Sequence, residues 1–124
     1  MSVGPAGDVA VHRIVTAVRC GQAGNPLGIE GQVESGVIWA LSYASKGEIT
    51  IAGGRVAQTG FGEYPLLSLS EMPELETLIA PSEAGPTGIG EMPVPCVAPA
   101  VGNALFAATG RRLRRLPIRP ADLA

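Results

Sequence analysis

Along the chain, apolar and polar positions change period several times, and each change marks an element. Val9–Val18 (VAVHRIVTAV) is rich in β-branched residues and alternates imperfectly, as a strand with at least one covered face would. The run RCGQAGNPLG then breaks the pattern with Gly21, Gly24 and the pair Asn25-Pro26. Asn followed by Pro predicts a helix start, with Asn25 as the cap and Pro26 as the first helical residue. From there Ile29, Val33, Val37, Ala40, Leu41 and Ala44 recur at steps of three and four, so the helix should run to about Ser45 with one apolar stripe. Beside the stripe lie Gly28, Gly31, Gln32, Ser35 and Gly36. A glycine inside a helix costs about 1 kcal/mol against alanine. Close approach of another backbone or of a rigid ligand is the usual compensation.

Further along, Glu48–Ile51 and Arg55–Gln58 flank Gly53-Gly54, which predicts a hairpin with a tight primed turn. EYPLLSLSEMP reads as irregular or edge-like, and Glu74–Ala80 as a strand with Leu75, Thr77 and Ile79 on one face. A Gly/Pro loop fills Pro81–Pro95. A last helix is expected over roughly Ala98–Thr109, with Pro99 in its first turn, Val101, Leu105 and Ala108 inward, and Gly110 as its stop. RLRRLPI would form a terminal strand or an extended tail. Residues 1–8 read as a disordered start, 9–118 as one folded unit and 119–124 as a tail. The order predicts an α+β fold, a small mixed sheet with two main helices.

Length and composition narrow the picture. At 124 residues the chain is one domain. Only 16% of residues are charged, below the usual quarter, and mean hydropathy is +0.28. A short domain with so little charge suggests that part of its surface is covered by a partner. The net charge of −2 gives no general pull toward nucleic acid or anionic lipid. Arg111–Arg115 (RRLRR) reads as positive charge at a helix C-terminus rather than a nucleic-acid patch. Cys20 and Cys96 lack metal spacing and are expected to be buried free thiols. No apolar run reaches ~18 residues, so no membrane span is expected. No export signal is visible, so the expected compartment is cytoplasmic, or periplasmic if a missing N-terminal portion carries a signal.

Complete catalytic sets are not evident. His12 reads as a structural or solvated strand residue, and Ser68, Ser70 and Ser82 have no His or Lys pattern beside them. No His/Cys/Asp/Glu cluster has metal spacing, so no metal-ligating residue is expected. Two features remain. In GPTGIGEMPVPC, residues 85–96, Glu91 is the one charged side chain among glycines and prolines. Such a segment should be a shaped loop, neither helix nor central strand. Glu91 is either a carboxylate favouring the dipole of the next helix or a site residue. Gln32, among glycines, is either an exposed helical side chain or a site residue.

Gly21–Pro26 (Gly-x-x-x-Asn-Pro), Gly31–Glu34 (Gly-Gln-Val-Glu) and Gly88–Glu91 (Gly-x-Gly-Glu, before a Pro-rich helix start) occur here in one order. In that combination, the chain from about Val11 to Ile118 resembles the C-terminal part of the molybdopterin-binding large subunit of the xanthine dehydrogenase/aldehyde oxidase family, nearest the isoquinoline 1-oxidoreductase β-subunit type. The resemblance implies a piece of a larger molybdopterin-binding domain. It also implies that Glu91 is the active-site base beside molybdenum, that Gln32 hydrogen-bonds the cofactor, and that Gly88, Ile89 and Gly90 line it. The implied reaction is hydroxylation of N-heteroaromatics or aldehydes with water-derived oxygen, with Glu91 accepting a proton. Burial in the glycine-lined pocket would raise the Glu91 pKa toward neutrality. Implied partners are the remainder of the large subunit, a small [2Fe-2S] subunit and a small-molecule substrate. Met92 stands where Pro is usual after the Glu, and Ser35 where Gly is usual in the helix motif. Family subunits are several times longer, so the isolated chain is expected to be inactive. The alternative is a non-catalytic, truncated or remnant module that packs against a partner subunit.

Overall fold

A computed structural model describes residues 1–123. The chain forms strands β1 (Ser2–Val3), β2 (Val9–Ala10) and β3 (Arg13–Val18), helix α1 (Pro26–Ser45), strands β4 (Ile51–Ala52), β5 (Arg55–Val56) and β6 (Glu74–Ile79), and helix α2 (Val94–Thr109). The architecture is α+β with two main helices, as expected. Its strands make three separate two-stranded sheets: β1–β2 and β4–β5 antiparallel, β3–β6 parallel.

Helix α1 begins where Asn-Pro predicts. Asn25 Oδ1 accepts the Gly28 amide at 3.1 Å, satisfying one of the orphan N–H groups of the first turn. Its stripe is the core: Val33, Val37, Ala40, Leu41 and Ala44 are buried. They pack against Val97, Val101 and Leu105 of α2, and Leu105, Val33 and Val37 are the largest fully buried side chains. Gly36 serves this contact. A Cβ there would lie 3.3 Å from the Pro93 ring, so glycine lets the start of α2 sit against α1.

Helix α2 starts at Val94, four residues before the expected Ala98, so the last residues of the Gly/Pro segment are helical rather than loop. Two prolines at the second and sixth positions obscure the start. Pro95 falls where the N–H is unbonded in any helix, whereas Pro99 lies inside and leaves the Pro95 carbonyl without its amide. Tertiary packing of Val97 and Val101 outweighs that loss. The shift also moves the buried face: Val97 is inward and Ala108 is exposed, contrary to expectation. Gly110 ends the helix at φ 71°, its amide bonded to Phe106 O at 2.8 Å.

In the parallel pair, Arg13 lies opposite Glu74 and the register runs to Val18 opposite Ile79. Arg13 and Glu76 form an ion pair across it. The hairpin β4–β5 turns at Gly53 (φ 58°) and Gly54 (φ 75°), the two positive angles of a type I′ turn.

Residues near both ends of the described chain make tertiary contacts. β1 pairs with β2 and contacts α2. Gly7, at φ 85°, lies so close to the last turn that a Cβ would meet Pro120 O at 2.2 Å. RLRRLPI forms no strand, but the Ile118 amide donates to Ala44 O at 2.7 Å and Ile118 and Leu123 are buried. Among the described residues no helix is long and apolar enough to cross a membrane.

Candidate functional site

The segment between β6 and α2 is held at three points. Thr87 N donates to Cys20 O at 2.8 Å, and Gln22 N donates to Ala84 O at 3.0 Å, so the loop is stitched to the turn after β3. Gly21 makes that possible: it sits at φ 79°, and a Cβ would lie 2.1 Å from Gly85 O. The third point is Gln32. Its Nε2 donates to Gly90 O at 2.7 Å, across 58 residues of sequence. One motif on α1 thus directly contacts the other motif in the loop.

Gln32, Gly88, Ile89, Gly90 and Glu91 therefore lie together. Gln32, Gly88, Gly90 and Glu91 are exposed, and Ile89 is half-buried. The expected burial of Glu91 is not found. The loop brings no apolar wall over the carboxylate, and three grooves of about 560, 560 and 280 Å³ are lined by other residues. Cys96 is also exposed, on the first turn of α2 with its Sγ 3.8 Å from Met92 O, whereas Cys20 is buried as expected. His12 is exposed and hydrogen-bonds Ser2 Oγ at 3.0 Å just before β3.

The glycines around the Gln32–Gly90 bond divide by cause. Gly36 admits Pro93, and Gly28 admits the Asn25 cap, whose Nδ2 would be 2.9 Å from a Cβ. At Gly31, Gly88 and Gly90 a Cβ would meet nothing within 4 Å, and none of the three has a positive φ. Neither the chain's own packing nor its backbone angles require glycine there, and Gly31 carries the helix penalty without return. Among the described residues the amides of Gly88, Ile89 and Gly90 also donate to no protein group. An open surface of glycines with unused amides beside a side-chain amide suits a flat, anionic group brought close to the backbone. These residues fit a molybdopterin cofactor.

Gly21 opens the Gly-x-x-x-Asn-Pro motif, but its part as the loop anchor shows only in the structure, where it sits at φ 79° against Gly85 O.

The molybdopterin cofactor-binding domain family matches residues 5–73, more than half of the chain. The chain belongs to this family. A membrane-bound aldehyde dehydrogenase of Gluconacetobacter polyoxogenes is 34% identical over 117 residues, 94% of this chain and 15% of its own length. The name of that relative carries pyrroloquinoline-quinone, a different cofactor from the one in the family's description. Isoquinoline 1-oxidoreductase subunit beta of Brevundimonas diminuta is 32% identical over 113 residues, 91% of this chain and 14% of that subunit. Among solved structures, a reconstituted CO dehydrogenase from Oligotropha carboxidovorans superposes with a TM-score of 0.79 at 28% identity, covering 92% of this chain and 15% of that one. Quinoline 2-oxidoreductase from Pseudomonas putida 86 shares the fold, with a TM-score of 0.84 at 20% identity over 95% of this chain and 16% of that one. The chain thus spans about one seventh of the relatives it matches.

Proposed function

We propose that this chain is the C-terminal piece of a molybdenum hydroxylase, an oxidoreductase acting on N-heteroaromatics or aldehydes, and that it supplies the catalytic base and part of the cofactor site. The observation that carries this reading is the bond from Gln32 Nε2 to Gly90 O, because it sets the residue before Glu91 against the Gln-bearing helix. The bound cofactor would supply the redox chemistry, accepting electrons from the substrate.

The chain's own residues bind, position and accept a proton. Gln32 uses one amide hydrogen to hold the loop and keeps its second hydrogen and its Oε1 for a ligand. The free amides of Gly88, Ile89 and Gly90 bind anionic oxygens. Glu91 accepts the proton on a carboxylate oxygen as water-derived oxygen is transferred. Its exposure here reflects walls that belong to other polypeptide: the remainder of the large subunit encloses the site, and a small [2Fe-2S] subunit receives the electrons. The isolated chain is inactive. We place the assembly in the cytoplasm, with the periplasm as the alternative.

The test is reconstitution of the chain with the remaining large-subunit polypeptide, the small subunit and the cofactor, followed by Glu91→Gln. Turnover should fall by about 10²–10⁴-fold, with cofactor content unchanged. Unchanged turnover in that variant rejects the role.

A further inference from the structure

The parallel pair β3–β6 has an open edge that leads to the candidate site. His12 O accepts from Glu74 N at 2.9 Å and Val18 O from Ala80 N at 2.8 Å. In a parallel ladder both backbone groups of alternate residues face the same neighbour. The even-numbered residues of β3 therefore face β6, and the N–H and C=O groups of Arg13, Val15 and Ala17 face the other way. Among the described residues β3 pairs only with β6. Parallel sheets are normally covered on both faces and are built of more than two strands, because an open edge leaves a row of unpaired backbone groups.

A groove of about 280 Å³ is lined by Ile14–Val18 of β3 and, across from it, by Met92 just before α2 and by Cys96 and Ala100 in the first half of α2, all three exposed. No charged side chain lines it. β6 packs on α1 and β1 on α2, but among the described residues no strand pairs with the outer edge of β3.

We infer that an extended segment of the remaining large-subunit polypeptide adds to the outer edge of β3, bonding to Arg13, Val15 and Ala17 and laying neutral, apolar side chains on α2. The uncharged groove selects such a strand over a charged peptide. The source is the polypeptide outside this chain, since the chain covers only 14% of the length of the isoquinoline relative. The added strand runs past Met92, next to Glu91, and so forms a wall of the site. This inference rests on the proposed assembly with that polypeptide.

The experiment takes the whole chain with the Brevundimonas diminuta isoquinoline 1-oxidoreductase β subunit from which the 113 matched residues have been deleted. Hydrogen exchange of the chain alone should show fast amides at Arg13, Val15 and Ala17 and slow ones at Ile14, Thr16 and Val18. In the complex the three fast amides should become protected. Val15→Pro removes an N–H that β6 does not use, so it should leave the thermal midpoint nearly unchanged and weaken the complex at least tenfold. A complex that forms without protecting these amides overturns the added strand and leaves the assembly standing. Protection of the same amides in the chain alone, rising with its concentration, assigns the edge to a second copy and overturns the proposal. No complex with the unsubstituted chain rejects the assembly, and the inference with it.

Discussion

Gln32 Nε2 donates to Gly90 O at 2.7 Å, joining the middle of α1 to the residue before Glu91. The bond is exposed, so water competes for both partners and its net contribution is small. Gln32→Ala should lower unfolding free energy by about 0.5–1.5 kcal/mol in urea titrations. On the proposed cofactor role, the same substitution should lower cofactor content in the reconstituted assembly, because it would free the loop and remove the amide assigned to the ligand at once. A loss of stability with full cofactor retention would reduce Gln32 to a loop tether.

Gly31 and Gly21 should respond in opposite directions to one added methyl group. At Gly31 the Cβ meets open space on a helix, so Gly31→Ala should stabilise the isolated chain by about 0.5–1 kcal/mol. On the proposed cofactor role it should nevertheless weaken cofactor retention in the assembly, since the methyl would stand on the surface assigned to the cofactor. At Gly21 the left-handed backbone and the 2.1 Å approach of Gly85 O leave no room. Gly21→Ala should cost more than about 2 kcal/mol and raise hydrogen exchange at Gln22 and Thr87, whose amides make the stitching bonds.

Leu105 is the centre of the α1–α2 contact, with 0% of its surface exposed. Leu105→Ala should cost about 2–5 kcal/mol, by lost transfer free energy and by the cavity left behind. In a domain this small that is a large share of total stability. The thermal midpoint should fall by several degrees or more, as circular dichroism would show.

Glu71 carries a pH signature. The Lys46 ammonium, 2.6 Å from its carboxylate oxygens, lowers the pKa from 4.5 to about 2, with the Ser68 amide and hydroxyl adding to the effect. The folded-state value lies below the unfolded one, so the contribution is complete above about pH 4.5 and disappears as pH falls toward 2. Because Glu71 is exposed and Lys46 only half-buried, Glu71→Gln should cost less than about 1 kcal/mol at neutral pH. The variant's stability should vary less with pH across that acid window than the parent's, which denaturation at successive pH values would measure.

The sequence by itself determined the elements whose causes are local. Asn25-Pro26 marked the start of α1, the three- and four-residue spacing of its apolar stripe marked the buried face, and Gly53-Gly54 marked the hairpin, because caps, periodicity and positive φ act over a few residues. It also placed Glu91 and Gln32 in recognisable motifs. Only the tertiary structure decided where α2 begins, since packing of Val97 on α1 overrides the local cost of Pro99. It decided, too, that the chain ends are fastened to each other at Gly7 and Pro120, and that Gln32 reaches Gly90 across 58 residues. The exposure of Glu91 belongs to the same class. Burial is a sum over everything that surrounds a side chain, and the described residues around this carboxylate leave it exposed.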